Sequence, residues 1–550
     1  MVRECALGAL EQGVDPEAFR QESLATGGFD KPMYAYGKTA SEFALKLADL
    51  ETRRTVEGII RAGCYGLSVD EGTDITTSKV LTMSVRYVCV DTGLIKNRNL
   101  GLLELPGGTA DEVYVAIVSK LSELGLGTLP LVGFSSDGAS AMVGATNGVA
   151  AKLKALFPAL ISTHCAAHRL NLAASDVSSS LCEHVEDLAG RLFSFFARSS
   201  SRLMKLSKSA KDLDKKFVRL ARPADTRWLS LGEALKNIVR MYPVLLAALS
   251  EETTKMARQL YTIISKLYVK FSVCYLADVT YVLNALSLKL QVSTVTIFEV
   301  RGNVISTCAI LEALSQTDLE EHPATTPNLC AFINEHLHQG VQDEDRSRIV
   351  SELAPYVKDW NEYAANVVSE LQSRFPEETS MAVKAFECLF PHMMPPSGTA
   401  QFGLDHFDFL RNHFKLLLPM SEGPVEEYQI FKAFLINHWR SLGPAEYMRV
   451  ALSNPNLRKS CALAHRLLVI AATLPMTSVE CERIKTESRN RLSVAATSAL
   501  LITATDAAPV DAFCPLESVA GWHEKRKRQR VAEVATCDAL ERESASIVIK

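Results

Sequence analysis

Apolar and polar positions alternate most strongly between residues 64 and 105. Residues 65–69 have the length and β-branched character of a strand and end in the acidic pair Asp70 and Glu71. Residues 80–90 form a second, stronger strand. The turn Asp91-Thr92-Gly93 then leads into a third at 94–105, so a three-stranded meander is expected. Ahead of it, residues 39–62 place Phe43, Leu45, Leu47, Leu50, Val56, Ile59 and Ile60 at amphipathic helical spacing. Behind it, Thr109 is a suitable N-cap for a helix over 110–124. Residues 131–137 read as a strand running into Asp137, 149–157 as a helix and 160–164 as a short strand. Another helix starts at Cys165.

The order β-β-β-α-β-α-β-α predicts a mixed sheet with helices packed on its faces. In that arrangement the first and fourth strands can be neighbours. Asp70 and Asp137, 67 positions apart (137 − 70), would then meet. Two carboxylates on adjacent strands repel unless a cation lies between them, and Mg²⁺ suits an all-oxygen site. The plainer alternative is that each aspartate caps the turn or helix that follows it.

From 231 to 460 the pattern is helical, including 231–249, 254–290, 346–374, 380–390 and 425–441. Breaks fall at Pro323 to Pro327, at 395–398 and at Gly443-Pro444. No fixed-period repeat is evident. His336 and His338 are the one metal-like spacing here, but residues two apart on a helix face different ways, so both are expected at the surface. Residues 1–38 read as a weakly patterned lead-in.

Length and composition narrow the classes. A chain of 550 residues needs several structural units. A net charge of −4 gives no global sign of a polyanion partner, although a local basic groove would suffice. Thirteen scattered cysteines without a Cys-x-x-Cys pair suit reduced thiols in cytosol or nucleus. Charges near the N-terminus argue against a secretory signal. The greasiest stretch, 463–475, is broken by His465 and Arg466 and falls short of the ~20 residues a membrane span needs.

A last patterned block runs from Leu474 through Pro475, Thr477, Ser478, Glu480, Glu482 and Arg483. Pro475 followed by Thr477 or Ser478 is a good helix start, with acids in the first turn. Taken alone, it is an ordinary capped helix. Farther on, Lys525, Arg526, Lys527, Arg528 and Arg530 form a compact basic run suited to nuclear import or nucleic-acid contact.

Five blocks resemble the hAT superfamily of DNA transposases and the host proteins descended from them. They are Leu67-Ser-Val-Asp70-Glu-Gly-Thr-Asp74, Ser135-Ser-Asp137-Gly-Ala, Cys165-Ala-Ala-His168-Arg-Leu-Asn-Leu172, Asp225-Thr-Arg-Trp228-Leu-Ser and Ser478-Val-Glu-Cys-Glu482-Arg483. Each is weak singly. In this order, over residues 40–505, they are specific. The resemblance implies an α/β ribonuclease H-like core interrupted by a large all-α insertion. It also implies a DDE triad of Asp70, Asp137 and Glu482 holding Mg²⁺ or Mn²⁺, with Glu482 supplied from beyond the insertion. Trp228, with Arg227 beside it, matches the family's tryptophan near the active site, where an indole can stack on an extruded base; packing at the mouth of the insertion is the alternative. Cys165 and His168 match the family's Cys-x-x-His signature. Two ligands do not complete a zinc site, so zinc is not expected and a structural role is.

The expected organisation is a lead-in and helix over 1–63, the first part of the core over 64–230 and the helical insertion over 231–460. A final core helix with a shortened dimerisation region follows over 461–505, then a tail over 506–550. Ala499, Leu500, Leu501 and Ile502 could face a partner or pack on their own core. Two departures from the family stand out. No BED-type zinc finger is present, and Arg483 joins Ile484 directly, as though about two helical turns were missing. Either the finger was lost or the chain is part of a longer product. Two functions follow: a nuclear, metal-dependent DNA transposase-like enzyme, or an inactive transposon-derived nuclear protein acting through self-association and binding.

Overall fold

In the computed structural model the chain is described over residues 37–73, 79–177, 180–223, 228–320, 326–338, 340–375, 381–395, 400–478, 481 and 494–506. Two units carry it. Unit 1 comprises residues 1–163, 414–431 and 448–550; unit 2 comprises 164–413 and 432–447.

In chain order, helix α1 (Gly37–Ala62) leads into the meander β1 (Tyr65–Thr73), β2 (Lys79–Val88) and β3 (Ile95–Leu105). Helix α2 (Ala110–Glu123) follows, then β4 (Leu131–Ser136), α3 (Ser140–Val143), α4 (Val149–Leu156) and β5 (Ile161–His164). The sheet order is β3-β2-β1-β4-β5, with β1 antiparallel to β2 and parallel to β4. This is the mixed sheet that the element order predicts. Thr109 caps α2 in a reciprocal capping box with Glu112, which fixes where that crossover helix begins.

Strand alternation divides the sheet into two unlike faces. Tyr65, Leu67 and Val69 of β1, Leu81, Met83 and Val85 of β2 and Phe134 of β4 are buried in one apolar core. Val113, Ile117 and Leu121 of α2 and Leu153 of α4 belong to the same core. The opposite face carries Gly66, Ser68 and Asp70 on β1 beside Arg86, Ser84 and Thr82 on β2, paired in that order.

The helical body continues with α5 (Ala166–Asp176), α6 (Ser180–Ala197), α7 (Ser200–Asp212), α8 (Trp228–Ser250), α9 (Lys255–Ile264), α10 (Leu267–Leu290), α11 (Ile297–Leu314), α12 (Pro327–Ile333), α13 (Asp343–Arg374), α14 (Met381–Ala385) and α15 (Leu404–His413). Helix α10 is long and apolar enough to cross a membrane by length and composition. It is nevertheless the core helix of unit 2, packed against α8, α11, α12 and α13. Trp360 Nε1 of α13 donates to Ser272 Oγ of α10 at 2.9 Å, and the Tyr275 hydroxyl donates to the Leu314 carbonyl at 3.0 Å. The single helix expected over 254–290 is two. Ser265 donates its hydroxyl back to the Thr262 carbonyl, and the chain restarts at Leu267. The helix expected over 380–390 is a short α14 followed by a 3₁₀ turn at Phe386–Leu389.

The chain then forms α16 (Pro424–Phe434), which passes into a π-helical turn at Leu435–Trp439, and α17 (Pro444–Ser453). Helices α18 (Pro455–Ser460) and α19 (Ala462–Thr473) follow, and α20 (Val494–Asp506) is the last described element. Helix α20 packs on α1 and on the sheet's edge strand β3. Ala499 and Ile502 are buried with Ala48 of α1, and Leu501 is buried too, so this apolar stretch packs on its own core. Ser498 Oγ accepts from Leu102 N–H at 3.1 Å, and Asp506 Oδ2 accepts from Asn99 N–H at 2.8 Å. The helix thereby satisfies donors that an edge strand would otherwise present to another chain.

Candidate functional site: a carboxylate rim on the polar face of the sheet

The parallel pairing of β1 with β4 sets Gly66 beside Gly133 and Ser68 beside Ser135. Asp70 lies two residues beyond Ser68 and Asp137 two beyond Ser135 (70 − 68 = 137 − 135 = 2). β1 continues through Asp70 whereas β4 ends at Ser136, so the two aspartates follow paired serines at the same end of adjacent parallel strands. Both are half-buried.

Toward the other end of these strands the polar face is closed by the chain returning after α19. A Cβ on Gly66 would stand 2.3 Å from the Thr473 carbonyl oxygen, and one on Gly133 would stand 2.6 Å from Pro475 Cδ. Only glycine lets the returning backbone come this close. Four polar side chains fasten the strap. Arg86 Nε donates to the Ala472 carbonyl at 2.7 Å and Ser68 Oγ to the Thr477 carbonyl at 3.2 Å. Thr163 Oγ1 donates to the Pro475 carbonyl at 2.6 Å, and Cys481 Sγ lies 3.8 Å from the Ser68 carbonyl. The side chains of Ser68, Thr82, Ser84, Arg86 and Ser135 are all buried beneath it.

These fastening residues were not identified as functional in the sequence. The available signal was a pair of glycines inside otherwise apolar strands, which marks a close backbone approach.

Asp137 also does what the plainer reading requires: its Oδ1 accepts from Ala139 N–H at 3.3 Å, forming a turn. A carboxylate has further lone pairs, so this bond orients the group without exhausting it. The hydroxyls of Ser135 and of Thr82, the residue paired with Asp70, are buried without a hydrogen-bond partner among the described residues. Two oxygen-rich carboxylates flanked by unsatisfied hydroxyls are donors of the kind that Mg²⁺ or Mn²⁺ takes. Among the described residues no three His, Cys, Asp or Glu side chains gather as a metal set. Glu482 lies outside the described residues, next to Cys481.

Arg227, the side chain of Trp228 and the basic run Lys525 to Arg530 also lie outside the described residues. Cys165 is buried at the start of α5, and His168 is half-buried, its ring 5.5 Å from that of His164. His336 is half-buried and contacts Lys270 Nζ at 2.9 Å, whereas His338 is exposed.

The architecture, a mixed sheet with its polar face under a late-returning strap and a large helical body inserted, is that of a ribonuclease-like core with a helical insertion. Residues 39–148 match the model of the family described as DUF4371: ZMYM1/FAM200, RNase-like domain. The matched stretch runs from within α1 to the loop before α4 and so contains both aspartates. It supports a transposase-derived, RNase-like domain in this part of the chain.

Proposed function

We propose that the carboxylate rim is the phosphoryl-transfer site of a hAT-like, DDE-type protein acting on DNA. The observation supporting this most directly is the parallel pairing of Ser68 with Ser135, which leaves Asp70 and Asp137 each two residues farther on at the same end of adjacent strands. Asp70, Asp137 and Glu482 would hold the divalent cations. When bound, Mg²⁺ or Mn²⁺ supplies charge neutralisation and an activated water or 3′-hydroxyl.

The rest of the work falls to the chain. The Asp137 turn holds one carboxylate in a fixed orientation. The strap keeps the Ser68 and Ser135 end of the face dry, so charge at the rim is less screened than in open water. Cys481, anchored at Ser68, sets the chain position from which Glu482 follows. The same reading assigns Arg227 and Trp228 to the DNA and the basic run at 525–530 to nuclear import.

The test is nicking of supercoiled plasmid by the full chain with Mn²⁺, beside Asp70→Asn and Asp137→Asn. Each variant is expected to lose at least ~100-fold of the nicking rate while melting like the parent. Undiminished nicking by both variants overturns the site. A parent chain that does not nick favours the inactive, binding-only protein.

A further inference from the structure

Between residues 198 and 222 the chain carries nine Lys and Arg against two Asp, a local charge of +7 (9 − 2) within a protein of net charge −4. All nine belong to unit 2. Two have local roles: Arg202 lies over the Phe195 ring at 4.0 Å, and Lys205 pairs with Glu252 at 2.6 Å. The other seven, Arg198, Lys208, Lys211, Lys215, Lys216, Arg219 and Arg222, are exposed, and none has an ion-pair partner among the described residues.

Their positions are fixed by the fold. Leu206, Ser209 and Ala210 bury one side of α7, which packs on α6 and α8 and leaves its lysines outward. The helix ends at Asp212, and two residues on, Asp214 has a φ of 50°, the one positive value at a non-glycine among the described residues. Lys215 N–H returns to the Ala210 carbonyl at 2.8 Å and Asp214 N–H to the Lys211 carbonyl at 3.0 Å, a Schellman turn that places Lys215 and Lys216 directly after the helix end. Beyond it, residues 215–223 form neither helix nor strand. Exposure recurs every third residue there, at Lys216, Arg219 and Arg222, while Phe217, Val218, Leu220 and Ala221 are half-buried. Buried Asn237 of α8 donates its amide to the Arg219 carbonyl at 3.2 Å, pinning the segment with its cations outward.

An isolated solvated face needs no turn and no pinned backbone, and its charges need not be mostly of one sign. We infer that this surface is a docking site for the phosphate backbone of duplex DNA. It deepens the reading above, on which it rests only for the choice of DNA as the polyanion. Closely spaced, unpaired cations release condensed counterions when they meet phosphates, and that drives backbone binding without base contacts. An anionic membrane is the weaker fit. A helix that lies in a lipid surface needs an apolar face to insert, and that face of α7 is buried in the protein.

The experiment is fluorescence anisotropy with a labelled random duplex of about 30 base pairs across a salt series, in EDTA so that no chemistry intervenes. The full chain is compared with three variants. The first replaces Lys208, Lys211, Lys215, Lys216, Arg219 and Arg222 with Gln. The second replaces the basic residues of 525–530 with Gln. The third replaces Lys255 and Lys289, exposed lysines of unit 2 outside residues 198–222, with Gln. The first variant is expected to bind at least ~10-fold more weakly at moderate salt, with a salt slope shallower by about 5. Its melting should be unchanged, since all six side chains are exposed. The third variant should bind like the parent, and because the assay reads binding in EDTA, failure of the catalytic reading leaves its outcome untouched. Parental affinity and slope in the first variant overturn the proposal. So does absence of duplex binding by the parent, or its preference for phosphatidylserine vesicles over the duplex.

Discussion

Two acidic sites in the protein show opposite uses of a carboxylate. Asp278, in the middle of α10 in unit 2, is wholly buried. Its oxygens accept from the Asn328 N–H at 3.2 Å, the Asn328 amide at 2.7 Å and the Leu329 N–H at 2.9 Å. These donors lie at the start of α12, where the first-turn N–H groups have no partner within the helix. Burial still raises the Asp278 pKa above the ordinary range, against the pull of these bonds. Asp278 is thus committed by its own chain to joining two helices. Asp70 and Asp137 in unit 1 stand half-buried at the rim of a covered polar face, near the Thr82 and Ser135 hydroxyls, which lack partners among the described residues. A carboxylate enclosed by three donors in the core is structural; a half-buried one at the edge of a polar face keeps part of its surface open to solvent.

The largest effect that sharpens this contrast is on stability at Asp278. Asp278→Ala strands three donors in the core and should cost about 3 to 5 kcal/mol, read as a fall in the denaturant midpoint. Asp70→Asn should cost less than about 1 kcal/mol in the same assay. Equal losses would mean that the rim carboxylate is as structural as the buried one.

Next in size is the cover itself. Gly66→Ala drives a Cβ against the Thr473 carbonyl, a backbone atom with little room to retreat, and should cost about 2 to 3 kcal/mol. Gly127→Ala, where the nearest atom lies 3.7 Å away, should be close to neutral. If both substitutions behave alike in thermal melts, the strap is not tightly seated on the polar face.

How much of this could be read from the sequence follows from the range of the forces involved. The β1–β3 meander, the N-cap at Thr109 and the adjacency of β1 and β4 were legible because alternation, caps and crossover rules act locally. The polar face was not, since its cover comes from about 400 residues later: Ser68 bonds to Thr477 and Arg86 to Ala472. The break between Ile264 and Leu267 was also missed, since no Pro or Gly marks it in the sequence. The basic surface of 198–222 escaped notice because the whole-chain charge masks it and because α6 and α7 were not assigned beforehand. The resemblance, not the pattern, made Glu482 a candidate for the site.

The smallest expected effect lies in unit 2, where a buried group is kept neutral. His164 Nε2 is buried without a hydrogen-bond partner among the described residues. Arg169, itself buried, donates to the His164 carbonyl at 3.2 Å and to the Arg374 carbonyl at 3.0 Å, and Arg374 pairs with Asp176. Burial first, then the positive charge of Arg169 and the proximity of His168 and Arg374, push the His164 pKa down to about 4 from 6.5. The unfolded chain therefore binds a proton that the native state refuses. The stabilisation is complete above pH ~6.5 and is lost as pH falls toward about 4. Allowing for partial solvent screening, it should amount to about 1 to 2 kcal/mol. His164→Gln should flatten the difference in unfolding free energy between pH 7 and pH 5 by that amount. Asp278→Asn, whose buried carboxyl titrates with the opposite sign, should not reproduce the change. A pH dependence unaltered by His164→Gln would show that this histidine is solvated enough to titrate normally.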